Sequence, residues 1–534
     1  MSSIKTSSGI LLAILSGFLF WIAWTPNNFS AAIFFAFIPL LIIEEKESRG
    51  LRYFFFIYTG LFTWNLLTTW WIWNSTMIGA WLAIAVNSLL MYIPWWGYRK
   101  IKKHFSLNLS LTALLVFWLS FEYLHQMDWG LSWPWLTIGN ALADRTSWIQ
   151  WYEYTGTCGG TAWIIGINLL LYRFYIHPSS LNSPRYKHWI TGSSILFPII
   201  ISLVIEINEK QRHDLAKIKT RSDNIVILQP NMDPYEKISS DNLQALTQRL
   251  VRQSKKLIDS NTTLLVWPET ALYTAGGINE KTVGENNELQ PLMQILSEHP
   301  QLHLFSGIES YRIFPEKHSV YSRPIDESGN YYEVYNAAVL MDQTGVHQYY
   351  HKSMLVPGVE TLPKFLLFLG PLFEQLGGTA GGYARQEIRT PVPVKDHFVI
   401  APAICYESIY GEFLSEYIKK GSNLIVIITN DGWWGNTPGH QQHLAYARLR
   451  AIETRKWVVR SANTGISTFI NPLGEKEQSA VWWKEGIIKQ SVYTDQRMTL
   501  FVQWGDWISK LALLLASFIF IVYLSKIFRS NRTP

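Results

Sequence analysis

Cysteine is nearly missing from this chain, with two in 534 residues. That excludes a disulfide-stapled scaffold. Charged residues are scarce at 16%, against roughly 25% in ordinary soluble domains. The 34 glycines are too few for a collagen-like repeat. No charge sign dominates: 46 Lys and Arg stand against 40 Asp and Glu. With 48% hydrophobic residues, intrinsic disorder is excluded as well. What the chain has in plenty is aromatic: 25 Trp, 26 Tyr and 27 Phe. Its length exceeds what one core needs, so two or more domains are expected.

Seven apolar runs crowd the first 205 residues, near 8–24, 29–43, 53–73, 77–97, 111–124, 161–178 and 189–205; an eighth covers 507–528. A spanning helix needs roughly 20 mostly apolar residues, or about 17 at the short end. Runs 29–43 and 111–124 are therefore short. Trp and Tyr at the run ends fit membrane–water interfaces. The first run follows Lys5 and precedes no small-residue cleavage site, so it reads as a retained signal anchor. With the N-terminus inside, the inner segments hold Lys5, Lys46, Arg49, Arg52, Arg99, Lys100, Lys102, Lys103, Arg173, Arg185, Lys187, Lys526, Arg529 and Arg532, whereas Arg145 stands alone in the short outer ones. That asymmetry puts both termini in the cytoplasm. It also accounts for many basic residues without nucleic acid. The expected division is a membrane domain of seven spans (1–205), an outside-facing domain (206–505), and a last span with a cytoplasmic tail (506–534).

Residues 206–505 change character. Short β-branched runs alternate with helical patterns. Strands are expected at 224–228, 263–267, 302–307, 337–341, 397–404, 423–429 and 465–470, and helices at 241–259, 411–420 and 440–456. Such alternation predicts a layered α/β domain. In open sheets the chemistry collects at the C-terminal ends of strands. Three of these expected strand ends carry reactive residues: Glu269 after TLLVW, Lys352 after the hairpin that follows AAVLMD, and Cys405 after HFVIAPAI. A Cys between strand and helix is a good nucleophile position, because backbone N–H groups there can stabilise an oxyanion. Its thiol, ordinarily near pKa 8.5, needs a base or a cation beside it. Glu269 can take the proton, and Lys352 can stabilise the thiolate and the oxyanion. Singly, a Cys usually packs, and a Glu or Lys is usually solvated surface.

Together, and in this order, the three resemble the Glu-Lys-Cys triad of the nitrilase (carbon–nitrogen hydrolase) superfamily. The flanking stretches VWPET, YYHKSMLVPGVE, ICYES, and NDGWWG followed by QQHLAYARLRAIETRKWVVRSANTGIS resemble its membrane-embedded branch, the bacterial apolipoprotein N-acyltransferases. So does the layout of seven spans, one domain and a final span, over essentially the whole chain. The resemblance implies eight transmembrane helices plus a nitrilase-like α-β-β-α sandwich in a bacterial inner membrane, with the sandwich in the periplasm. It assigns Glu269 as base, Lys352 as oxyanion stabiliser and Cys405 as acyl-carrying nucleophile. Glu360, Tyr406, Glu407 and Trp433 are implied as supporting residues. The implied reaction moves a fatty acyl chain from a phospholipid, typically phosphatidylethanolamine, through a Cys405 thioester to the α-amine of a diacylated apolipoprotein. It implies no cofactor, and a monomer is expected. The family's VPFGE is here Val356-Pro357-Gly358-Val359-Glu360, and a common tryptophan after QPN is replaced near Tyr235. The competing readings are a membrane-anchored amidase or nitrilase acting on a small amide, and an idle membrane scaffold.

Leu362–Leu376 is apolar but too short to span. It is read either as an interfacial arm carrying Phe365, Leu366 and Phe368 to the lipid, or as a core helix. The following GGTAGG is read as a hinge or a plain loop. His440 and His443 lack a third ligand for a metal, and His443 is expected to cap or pack. Glu122, Asn87 and Asn168 fall in expected spans and are read as interhelical polar contacts. A Cys158–Cys405 disulfide would consume the nucleophile and is disfavoured.

Overall fold

A computed structural model describes residues 4–24, 26, 29–177, 184–220, 222–234, 242–325, 329–361 and 382–530. Tyr235 and the stretch carrying Phe365, Leu366 and Phe368 lie outside the described residues. Among the described residues, five helices are long and apolar enough to cross a membrane: Thr6–Ala23, Met77–Lys102, Leu107–Gln126, Tyr186–Lys219 and Trp507–Arg529. The other three expected spans do not combine that length and apolarity in one unbroken helix. Run 29–43 becomes a 3-10 turn, Ser30–Phe35, and a nine-residue helix, Ile38–Lys46. That helix is only roughly 14 Å long at its usual rise. Asn168 holds the break: its amide donates to Ile33 O (2.9 Å) and accepts from Phe37 N (2.9 Å). Helix Gly50–Thr69 is long enough, but Arg52, Asn65 and four threonines dilute it. Helix Tyr152–Leu171 is broken at Gly156 (φ 63°), where a Cβ would lie 2.4 Å from the Phe501 ring.

Glu122, a buried carboxyl inside the bundle, is matched to partners, as buried polar groups usually are. Glu122 accepts from Trp118 Nε1 (2.9 Å), Ile138 N (2.8 Å) and Thr161 Oγ1 (2.7 Å). The outer faces are apolar. Leu196, Phe197, Ile200 and Val204 are exposed on helix Pro184–Lys219, as are Leu511, Leu514 and Phe518 on the last helix. So large an exposed apolar surface suits hydrocarbon, not water. Basic residues gather at one end of the bundle. There Arg52 Nη2 donates to Ile4 O (2.8 Å), the Arg99 guanidinium lies over the Tyr53 ring (4.1 Å), and Lys526 lies over Phe105 (4.6 Å).

The α/β domain sits on the other end. Its strands are β1 (Ser222–Gln229), β2 (Thr262–Val266), β3 (Ile278–Asn279), β4 (His303–Phe314), β5 (Arg323–Pro324), β6 (Tyr331–Asp342), β7 (Gly345–His351), β8 (Val392–Val394), β9 (Phe398–Ile404), β10 (Leu424–Thr429), β11 (Trp457–Ala462), β12 (Thr468–Ile470), β13 (Lys476–Ser479) and β14 (Gly486–Tyr493). One sheet runs β14-β1-β2-β4-β6-β5, with β3 on β4 and β7 on β6; the other runs β13-β12-β11-β10-β9-β8. β1-β2-β4 and β9-β10-β11 pair in parallel, so their C-terminal ends share one edge. Side chains alternate along β1. Ile225 and Ile227 join the core between the sheets, while Val226 and Leu228 pack with Leu250 and Leu292 on the outer helices Leu243–Ser254 and Gln290–Glu298. The result is four layers, α-β-β-α, as expected. The expected domain boundary at 205 falls inside helix Pro184–Lys219, and β1 starts at Ser222.

Helix Pro438–Thr454 joins the two halves. It is buried nearly all round, which explains its lack of an amphipathic stripe. One flank rests on β11 and the other on the bundle. There Trp24 Nε1 donates to Tyr446 Oη (2.9 Å), Trp135 Nε1 to Gln442 Oε1 (2.8 Å), and Gln442 Nε2 to Thr68 O (3.2 Å). Arg455, at φ 52°, ends the helix. Its guanidinium binds Glu153 Oε2 (2.9 Å) and Gln150 Oε1 (2.6 Å). One apolar core therefore runs unbroken from the bundle into the sandwich.

Candidate functional site

Three non-glycine residues with left-handed backbone stand at parallel strand ends: Asn231 after β1 (φ 51°), Thr270 after β2 (φ 48°) and Cys405 after β9 (φ 51°). Such strain persists only where the surroundings impose it, and it clusters at functional sites. Glu269 sits in the turn after β2. That turn is stitched to β4 by Trp267 N to Phe305 O (3.0 Å) and Gly307 N to Pro268 O (3.2 Å). The approach requires glycine at 307, since a Cβ there would meet Pro268 O and Thr270 N at 2.5 Å. Lys352 follows β7, and its amide donates to Asn336 O (2.9 Å) on β6.

The side chains converge. Lys352 Nζ lies 2.8 Å from Glu360 Oε1 and 3.4 Å from Glu269 Oε1. Asn336 Nδ2 donates to Glu269 Oε1 (2.8 Å) and to Glu360 Oε1 (3.0 Å). Val356 N donates to Glu360 Oε2 (2.8 Å) and so fixes its loop. Lys352 is 1% exposed. Burial alone would discharge it, but Glu360, Glu269 and Cys405 outweigh burial and raise its pKa, so it stays an ammonium. Cys405 is half-buried. Desolvation pushes its thiol up, the Glu269 carboxylate adds to this, and Lys352 opposes it. The resting sulfur is therefore a thiol. One expected outcome follows: iodoacetamide alkylates Cys405 slowly at neutral pH, and the rate keeps climbing past about pH 9 without a plateau. A plateau below about pH 8 would contradict this charge arrangement.

Glu407 locks the nucleophile turn. Fully buried, it accepts from Ile404 N (2.7 Å), Ser353 N (2.6 Å), Met354 N (3.0 Å) and Tyr350 Oη (2.7 Å). It thereby ties the Cys405 turn to the segment after Lys352. Burial still leaves its pKa raised. Tyr406 Oη donates to Ser132 O (2.9 Å), reaching into the bundle. Behind the turn, His443 Nε2 lies 3.1 Å from Cys405 O and 2.8 Å from Ser408 Oγ, and its Nδ1 lies 3.0 Å from Asp431 Oδ1. Arg460 Nη2 donates to Asp431 Oδ2 (2.6 Å). Despite burial, Arg460 and then His443 hold the Asp431 carboxyl well below the usual range.

Cys405 opens onto a cavity of about 390 Å³ between sandwich and bundle. Its walls include Ile78, Leu82, Val86 and Leu90 at helical spacing on Met77–Lys102, with Trp135, Trp434 and Tyr406. Trp434 forms part of this wall, and Trp433, the expected supporting residue, precedes it in the 3-10 turn Asp431–Trp434. It packs on Trp71 with ring centroids 4.8 Å apart. The altered loop Val356–Val359 also lines the cavity, so the departure from VPFGE falls on its wall. Sequence reasoning missed Asn336, whose setting reads only as a strand, and the Asp431–Arg460 pair behind the nucleophile. Cys158 and Cys405 are both free.

Residues 227–496 match the model of the carbon–nitrogen hydrolase family, and residues 16–170 match that of the apolipoprotein N-acyltransferase N-terminal domain. The apolipoprotein N-acyltransferase of Chlorobaculum tepidum is 26% identical over 533 residues, covering 97% of this chain and 96% of its own. That of Gloeobacter violaceus is 24% identical over 536 residues, covering 96% and 93%. Among solved structures, Nit3 of Saccharomyces cerevisiae, a nitrilase-superfamily member, aligns over 51% of this chain and 90% of its own, at 16% identity and a TM-score of 0.36. The first match takes in both sheets and just over half of all residues, and this chain belongs to the carbon–nitrogen hydrolase family.

Proposed function

We propose that this protein moves a fatty acyl chain from a phospholipid to the α-amino group of the S-diacylglyceryl cysteine that begins an apolipoprotein. The observation that carries the reading is the opening of Cys405 onto an apolar cavity walled by a membrane helix. In this reading all eight apolar runs cross a bacterial inner membrane, and the basic end of the bundle faces the cytoplasm. The sandwich then lies on the periplasmic side, at the bilayer surface.

Glu269 takes the Cys405 proton as the sulfur attacks the sn-1 ester carbonyl, with phosphatidylethanolamine the expected donor. The Lys352 ammonium stabilises the oxyanion. The C–O bond breaks, Glu269 returns the proton to the leaving alkoxide, and a lysophospholipid departs from an acyl-Cys405 thioester. The acceptor amine then attacks the thioester. Its proton passes to Glu269 and on to the Cys405 sulfur, leaving an amide. Glu360 and Asn336 position Lys352 and Glu269, while Glu407 and Tyr406 hold the nucleophile turn.

The amidase reading needs a polar pocket for a small amide, and the apolar cavity disfavours it. The two separate in one assay. Purified protein is incubated with phosphatidylethanolamine vesicles and a synthetic diacylglyceryl-cysteine peptide, and the products are read by mass spectrometry. Acyl transfer yields an N-acylated peptide and lysophospholipid in equal amounts. Free fatty acid with no N-acylated peptide would refute it.

A further inference from the structure

The cavity beside Cys405 is mostly apolar, and its polar lining residues include Asn87 and His125 beside Ser75, Thr76, Ser132 and Tyr406. Asn87 and His125 end a chain of hydrogen bonds running through the bundle. Asn65 Nδ2 donates to Leu61 O (2.9 Å), Asn87 Nδ2 donates to Asn65 Oδ1 (2.7 Å), and His125 Nε2 lies 2.9 Å from Asn87 Oδ1. A backbone carbonyl can only accept, and that fixes the direction of every link. Asn65 must give its amide nitrogen to Leu61 O and offer its oxygen to Asn87. Asn87 must therefore donate to Asn65, which leaves its own oxygen for His125. His125 must then carry its proton on Nε2, and in the neutral ring Nδ1 is a bare acceptor.

That acceptor has no partner among the described residues. His125 is buried, 5% exposed, with its ring on Phe121 at 5.1 Å between centroids. A buried acceptor without a donor is unfavourable, and the donor it lacks would come from whatever fills the cavity.

Resting on the acyl-transfer reading above, we infer that His125 Nδ1 is a subsite accepting a hydrogen bond from an N–H or O–H group of the amphiphile whose reacting carbon reaches Cys405. That group is either on the phospholipid headgroup or on the amine-bearing end of the diacylglyceryl peptide. The relay sets the tautomer, so Asn87 and Asn65 act as positioning residues for His125.

The experiment measures the two half-reactions of full-length protein separately. Acylation of Cys405 is timed in vesicles of phosphatidylethanolamine and of phosphatidylcholine with identical chains, since the choline headgroup has no donor. Transfer from preformed acyl-Cys405 is then timed with the diacylglyceryl-cysteine peptide and with a simple alkylamine. His125→Phe keeps the ring packing and removes the acceptor. The double variant Asn87→Leu/His125→Phe also avoids stranding the Asn87 oxygen. With a headgroup donor, the wild type prefers ethanolamine over choline lipid by about tenfold, the worth of one good hydrogen bond. Both variants then lose that preference, and their choline rate stays within about twofold of the wild type. With a peptide donor, lipid preference is unchanged and only transfer to the peptide slows. Either selective loss supports the subsite and names its source. Equal slowing with every substrate, or no change with any, overturns it. Absence of acyl-Cys405 in the wild type would instead overturn the acyl-transfer reading itself.

Discussion

Replacing Cys405 by alanine abolishes acyl transfer, with an expected loss of at least about 10⁴-fold, as when other covalent catalysts lose their nucleophile. The neighbouring carboxylates Glu360, Glu407 and Asp431 are all committed to hydrogen bonds and do not replace the sulfur. The fold should hold. Cys405 is half-buried and already left-handed, so alanine inherits the backbone strain without adding to it. The readout is the N-terminal mass of a lipoprotein from cells carrying only the variant, with the protein level checked in membranes. An N-acylated lipoprotein in those cells would mean that the sulfur is not the carrier.

Lys352→Met costs both activity and stability. Lys352 is the cation facing Glu269 and Glu360, and methionine fills its volume without its charge. Two buried carboxylates are then left sharing the Asn336 amide with no cation between them. Removing one member of a buried ion pair typically costs about 3–5 kcal/mol, and one carboxyl takes up a proton instead. The linkage has a definite sign. A carboxyl whose folded pKa is raised loses stability as pH rises through the carboxylate range, so the variant gains relative to wild type as pH falls. Chemistry fails as well: without the ammonium the oxyanion loses its stabiliser, worth about 10²–10³ in rate, and the thiol loses the group that opposes its upward shift. Thermal melts of wild type and variant at pH 5 and pH 8, with a single-turnover acylation assay, test both halves. A variant as stable as wild type at pH 8 would show that the lysine does not neutralise the carboxylates.

The residues of this convergence were legible in the sequence to different degrees. Glu269 and Cys405 each follow an apolar β-branched strand, and Lys352 follows the hairpin after AAVLMD, so local pattern set them at strand ends. Glu360 lies eight residues beyond Lys352, close enough for one loop to hold both. Asn336 was hidden because its partners are remote in sequence and meet only when β6 lies beside β4. Asp431 and His443 read as loop and helix start, and Arg460 interrupts the apolar run of β11, which was missed as a strand for that reason. Such a buried charge makes sense only once Asp431 is seen to face it. In the bundle, hydropathy located the apolar runs but not their breaks. The break near Phe37 depends on Asn168, more than a hundred residues away. The break at Gly156 depends on the close approach of Phe501.

The most direct measurement is the mass of the peptide containing Cys405 after full-length protein is held with phosphatidylethanolamine vesicles and no acceptor. The account predicts a mass increase of one fatty acyl chain on Cys405, removed by neutral hydroxylamine as a thioester should be and discharged by the diacylglyceryl-cysteine peptide. Lysophospholipid released while that peptide stays unmodified would contradict it.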